Sequence, residues 1–193
     1  MNDPGDKKYK TSGHPTIFHK LLDSSNVSAS DQNLERFMNE AQSIVAAGLV
    51  TTAYHLNVTS YHVLANPSIL STLKAELEMA MPDPSILPPL EKLENLPYLN
   101  AVVQEGHRIT HGVVHRAARV SHKPIIYREW TIPPETPVSM SAIFMHENRE
   151  IFPLPHTFDP TRWLGEDGAR RRKYLVPVSI SKVLLGIRVV LRL

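Results

Sequence analysis

The chain has 193 residues, 42% hydrophobic and 21% charged, which falls within the range of a globular domain and excludes disorder throughout. A formal charge of +2, from 21 Lys and Arg against 19 Asp and Glu, offers no broad attraction for nucleic acid or an acidic membrane. Cysteine is absent, so disulfides, Cys-ligated zinc, iron–sulfur clusters and thiol nucleophiles are excluded for these residues.

The chain begins MNDPGDKKYK, polar and charged, which predicts a tail over residues 1–12. The longest apolar stretch, residues 44–50, falls far short of the roughly 20 residues of a membrane span, so neither signal peptide nor anchor is expected here. From residue 31 to about 65, Leu34, Phe37, Met38, Ala41, Val45, Gly48, Leu49, Thr52 and Leu56 recur at helical spacing. That predicts one long helix, some 50 Å at 1.5 Å per residue, with Asp31 as its N-cap. Asn66-Pro67 breaks it, and residues 68–80 form a second amphipathic helix through Ile69, Leu70, Leu73 and Leu77. A proline-rich connection runs through EKLENL to Pro97, which opens a third helix reaching about Thr110.

Beyond Gly112 the texture changes. Residues 113–146 alternate apolar and polar, with β-branched residues and punctuation at Pro124, Pro133, Pro134 and Pro137, and read as short strands and hairpins. The remainder reads as mostly loop, with Arg170, Arg171, Arg172 and Lys173 a solvated run in preference to an anion-binding patch. No repeat and no convincing domain boundary is visible.

Three motifs stand out. Ala47-Gly48-Leu49-Val50-Thr51-Thr52 puts a glycine beside two threonines in mid-helix, against propensity. Either another body approaches the backbone there or two helices cross tightly. Glu105-Gly106-His107-Arg108 places carboxylate and guanidinium on one helical face, an arrangement shared by bidentate buried pairs and ordinary exposed ones. Phe158-Asp159-Pro160-Thr161-Arg162-Trp163 holds a second arginine between a proline-fixed turn and an aromatic.

In this order and spacing the motifs resemble those of the cytochromes P450, haem-thiolate monooxygenases. The phrases LPYLNAVVQEGHRITHGVVHR and EWTIPPETPVSMSAIFMHENREIFP are similar to the fungal trichodiene-oxygenase-like branch. The likeness covers residues 13–177, about two-fifths of a full-length member, and implies a mainly α fold with a small β region. This is the C-terminal part of the family fold: a long central helix, the helices after it and short β-sheets. Gly48 and Thr51 would lie over the haem, with the Thr51 hydroxyl assisting proton delivery. Glu105, Arg108 and Arg162 would form a structural triad, and Arg116 would pair with a haem propionate through its planar fork.

The resemblance further implies haem and iron, an NADPH-cytochrome reductase as partner, and oxidation of a small hydrophobic, terpenoid-like metabolite. The family location is the endoplasmic reticulum membrane; without an anchor this chain is expected to be cytoplasmic or peripheral. Two departures bear on activity. Val50 stands where many relatives carry an acid. After KYLVPVS the family pattern calls for a cysteine loop, but residues 178–193 contain no cysteine, so thiolate ligation and ordinary catalysis are not expected of this chain. That tail is expected to be aberrant, the product of a frame or splice error, or else the mark of a non-catalytic haem- or protein-binding fragment.

Other chemistry is less supported. His107, His111 and His115 are spaced four apart, but Gly112 interrupts the helix and no acid completes a metal site. Neither a nucleophile-elbow serine nor a phosphate-binding glycine loop occurs.

Overall fold

Residues 16–22, 28, 30–112, 114–116 and 118–176 are described by a computed structural model. The expected N-terminal tail and the tail over residues 178–193 lie outside the described residues. Backbone contacts group the chain into two units, Met1–Val50 and Thr51–Leu193, which divide within one helix.

In the first unit, α1 (Ile17–Leu22) precedes the start of α2 (Leu34–Ala65), and the Phe18 and Phe37 rings meet edge-on at 6.5 Å. The N-cap of α2 is Asn33, whose Oδ1 accepts the Arg36 N–H at 2.9 Å. Asp31 was the expected cap, but its carboxylate accepts the Ser28 hydroxyl instead. Leu34, Met38, Val45 and Leu49 on α2 are exposed.

The second unit begins with the rest of α2, where Val63 is buried and Leu56, Tyr61 and Leu64 are exposed. Pro67 opens α3 (Pro67–Ala80) in the first-turn position where a missing N–H costs nothing. The short α4 (Leu90–Glu94) and then α5 (Pro97–Thr110) follow. The orphan N–H groups of α5 are satisfied from α3: the two Glu76 carboxylate oxygens accept from Tyr98 N and Leu99 N, each at 2.8 Å. At its other end His111, at φ 56°, closes α5 in the left-handed region. The apolar sides of these helices meet in a cluster of Val63, Val102 and Phe158, with Ile69, Leu73, Tyr98 and Ile109 packed on it.

The expected β region is smaller than the alternation suggests. β1 (Ile125–Tyr127) pairs antiparallel with β2 (Trp130–Ile132) around an Arg128-Glu129 turn, and a single bridge joins Arg119 to Val138. The end of the predicted strand region is instead α6 (Ala142–His146), because the Ser141 hydroxyl accepts the Ile143 N–H and caps a helical turn.

The region expected to be loop also folds. Residues Pro160–Trp163 form a 3-10 turn, and Gly165–Arg172 form α7. The arginines of the expected solvated run end a helix whose first turn holds Glu166 and Asp167, so acids sit at its positive pole and cations at its negative one. A second core, of Ala101, Met145, Ile151, Phe152 and Trp163, ties α5, α6 and the 3-10 turn together.

Two glycines should respond oppositely to a methyl group. A Cβ on Gly48 meets no atom within 4 Å, so Gly48→Ala should stabilise α2 by about 0.5–1 kcal/mol through helix propensity alone. A Cβ on Gly168 would run into the backbone carbonyl of Trp163, so Gly168→Ala should cost about 1–3 kcal/mol. Thermal melts of the two variants check this. A destabilised Gly48→Ala would show that something packs on α2 at that point.

Candidate functional site

The residues of α5 repeat so that Ala101, Val102, Glu105, Gly106 and Arg108 turn inward. This buries an ion pair whose spacing alone ordinarily means an exposed one. Glu105 and Arg108 have no solvent exposure, and Arg108 donates from Nε to Glu105 Oε2 at 2.9 Å and from Nη2 to Oε1 at 2.7 Å. This is the two-bond fork that a planar guanidinium makes with a carboxylate.

The chain segment before α7 completes the cluster. Asp159 accepts the Thr161 N–H and hydroxyl at 2.9 and 2.6 Å, and this cap with Pro160 fixes the 3-10 turn that turns Arg162 and Trp163 inward. Arg162 donates from Nε to Glu105 Oε1 at 3.0 Å, and Trp163 Nε1 donates to Oε2 at 2.8 Å. The Asp159 backbone N–H adds another bond to Oε1 at 3.0 Å. Glu105 thus accepts five hydrogen bonds in the interior, which is what a buried carboxylate requires.

Two guanidinium charges face one carboxylate, and the excess positive charge is met by backbone carbonyls. Arg108 also donates to His146 O at 3.0 Å and to Thr157 O at 3.3 Å. Arg162 donates to Pro153 O at 3.0 Å and, like Arg108, to Thr157 O, here at 3.2 Å. The Thr157 peptide therefore serves both arginines. Arg171 of α7 reaches back to the carbonyls of Arg162 and Ile151 at 3.0 and 3.2 Å, which ties the expected surface run to the same cluster.

Glu105, Arg108 and Arg162 are therefore brought together in one buried cluster. Gly48, Thr51 and Arg116 are exposed and stand outside it. Gly48 and Thr51 lie three residues apart on α2, and the Arg116 guanidinium sits 5.4 Å from the centre of the Phe144 ring. Sequence reasoning missed Trp163 as a ligand of the carboxylate and missed His146 altogether. The arginine–tryptophan adjacency was the available signal for the first; none pointed to the second.

Histidines gather around this core in neutral form. Burial, then the nearby charge of His107, lowers the His55 pKa, and the two rings stack at 4.1 Å. Burial also lowers His107 and His111. His146, fully buried, is pushed down to about 3, chiefly by desolvation and then by His111 and Arg108. Among the described residues, no group of three or more His, Asp or Glu side chains is arranged to hold a metal ion. Nor is any helix among them long and apolar enough to cross a membrane.

The donor set does not fit a thiolate-bound haem, because none of the 193 residues is a cysteine.

Comparison with known proteins agrees with the ordered motifs. Residues 6–179 match the family model for cytochrome P450. The chain is 47% identical over 168 residues to the cytochrome P450 monooxygenase tpcC of Cochliobolus heterostrophus, covering 83% of this chain and 31% of that protein. It is 44% identical over 173 residues to the cytochrome P450 monooxygenase sdnE of Sordaria araneosa, covering 86% and 33%. With the tryptophan 6-hydroxylase fscE of Fusarium equiseti it shares 40% identity over 174 residues, covering 90% and 34%. The chain spans about a third of the length of these relatives, less than the two-fifths expected. A family match over most of the chain, on a mainly helical fold with one small sheet, shows that the chain belongs to the cytochrome P450 family.

Proposed function

We propose that these residues form the structural frame beside the haem of a monooxygenase that oxidises a small hydrophobic metabolite of terpenoid type, with electrons from an NADPH-cytochrome reductase at the endoplasmic reticulum membrane. The observation that carries this reading is the Glu105 carboxylate, buried with five donors and joining α5 to the 3-10 turn. A charge network of this kind fixes a backbone course more strictly than apolar packing does. On this reading Arg116 pairs with a haem propionate, and Gly48 and Thr51 present open backbone and a hydroxyl toward the haem. A tryptophan-derived substrate is the second reading, favoured by two relatives that carry the name tryptophan or N-acetyltryptophan 6-hydroxylase.

Because the chain has no cysteine, it supplies no thiolate ligand for iron, and on this reading it does not carry out the thiolate-dependent chemistry on its own. The expected result of adding haem to the purified chain is binding without the thiolate-type band of the reduced, carbon-monoxide-bound state. A histidine ligand would give an imidazole-type spectrum. Arg116→Ala should weaken haem binding several-fold, in line with loss of one charge-assisted hydrogen-bonded pair. A thiolate-type band would overturn the ligand argument, and no binding at any haem concentration would overturn the haem-binding role.

A further inference from the structure

His146 is the last residue of α6 and has no solvent exposure. It touches the Glu105 cluster and the chain that follows α7 by different atoms. Its backbone carbonyl accepts from Arg108 Nη1 at 3.0 Å. Its ring Nε2 accepts the backbone N–H of Val176 at 3.0 Å, across 30 residues of sequence. The ring itself is held flat by His111, stacked at 5.8 Å and 23°, and by the edge of Phe152 at 6.4 Å and 88°. A ring nitrogen that accepts a hydrogen bond from an amide N–H does so through a lone pair and carries no hydrogen of its own, so the ring is neutral with its hydrogen on Nδ1. That Nδ1 is buried and makes no well-formed hydrogen bond, though the backbone of Arg108 favours the charged ring slightly.

We propose that His146 is a positioning residue: as the neutral Nδ1–H imidazole it grips the Val176 amide and sets the course of the chain leaving α7 against the Glu105 cluster. This holds whether or not the chain binds haem. The competing account is that apolar packing alone places this segment, since Tyr174, Leu175 and Val176 also lie on the core of Met145, Phe152 and Trp163. The ring's electrostatic surroundings favour the grip. Arg108 and His107 on α5 and His111 at its end all oppose a proton on the ring, and the neighbouring Glu147 carboxylate is turned to His111 Nε2 at 3.4 Å. A proton on Nε2 would set donor against donor and release the amide.

Three substitutions in the full chain separate grip from packing. His146→Phe keeps a flat ring and removes the acceptor, His146→Gln keeps an acceptor near the Nε2 position, and Val176→Pro removes the donor. At neutral pH, His146→Phe should speed hydrogen exchange at the Val176 amide about five- to tenfold, the equivalent of one net hydrogen bond. Amides within α5 should keep their rates. His146→Gln should restore most of the protection, and Val176→Pro should leave His146→Phe with no further effect on Tyr174 and Leu175. Equal protection of Val176 in the phenylalanine variant and the parent would overturn the proposal in favour of packing. Should the variants fail to fold, the nitrogen-15 spectrum of the parent chain decides: an unprotonated Nε2 and protonated Nδ1 are expected, and the opposite tautomer overturns the grip.

Discussion

Glu105→Ala is expected to destabilise the Thr51–Leu193 unit more than any other single truncation at the site, by about 3–5 kcal/mol or beyond. It strands two guanidiniums in the interior and leaves the Trp163 indole N–H and the Asp159 amide without their acceptor. Arg162→Ala should cost less. The Arg108 fork would still neutralise Glu105, and what is lost is one bond to the carboxylate and those to Pro153 O and Thr157 O. Glu105→Gln should fall near the alanine variant in spite of its shape, because the amide brings no charge and donates where every neighbour also donates. Urea unfolding followed by the emission of the buried Trp163 measures all three. A loss below about 1 kcal/mol for Glu105→Ala would place the cluster among ordinary surface pairs.

Stability should fall on mild acidification, earlier than carboxylate protonation alone would dictate. The folded-state pKa of His146 is depressed to about 3 from an ordinary 6.5, and those of His55, His62, His107 and His111 are also lowered by burial. A group of this sign contributes stability that is fully present above pH 6.5. Between 6.5 and 3 the unfolded chain binds the proton and the folded chain does not, so the contribution is lost as pH falls through that window. For His146 the limiting slope is about 1.4 kcal/mol per pH unit; the half-buried histidines add less, since solvent screens them. Urea midpoints measured between pH 7.5 and 4.5 check the slope. A flat profile from 7.5 to 5 would mean that these rings take up protons in the folded chain as readily as in the unfolded one.

The helices legible in the sequence were those with both a period and a boundary. Pro67 and Pro97 fix where α3 and α5 begin, and the apolar spacing of α2 gives its length to within a few residues. α7 was missed because GEDGARRR has two glycines and almost no apolar residue, so it lacks a hydrophobic period; its ordering signal is the passage from acid to base. α6, five residues long, is too short to show a period and depends on the Ser141 cap. At the site, the spacing of Glu105 and Arg108 reveals the pair but not its burial, since the same spacing serves an exposed pair. The bonds from Trp163 and from Val176 to His146 span 58 and 30 residues, and no local pattern encodes a partner that far away. Gly48 stands in a conspicuous motif, but it is Gly106 whose missing side chain leaves room for the Thr59 hydroxyl and the His55 ring.

The span between the two halves of the Glu105 cluster also governs the time course of folding. Glu105 and Arg108 can meet as soon as α5 winds, within the microsecond range of helix formation. Arg162 and Trp163 arrive only when a loop of 57 residues has closed, and closing it costs entropy before any of its bonds form. The local half of the cluster can therefore form and re-form on α5 before its second arginine docks, and it is fixed only when the tertiary contacts close. Until then the 3-10 turn lacks its bonds to the Glu105 carboxylate, and the segment between α5 and that turn stays open to proteases for longer than α5 itself.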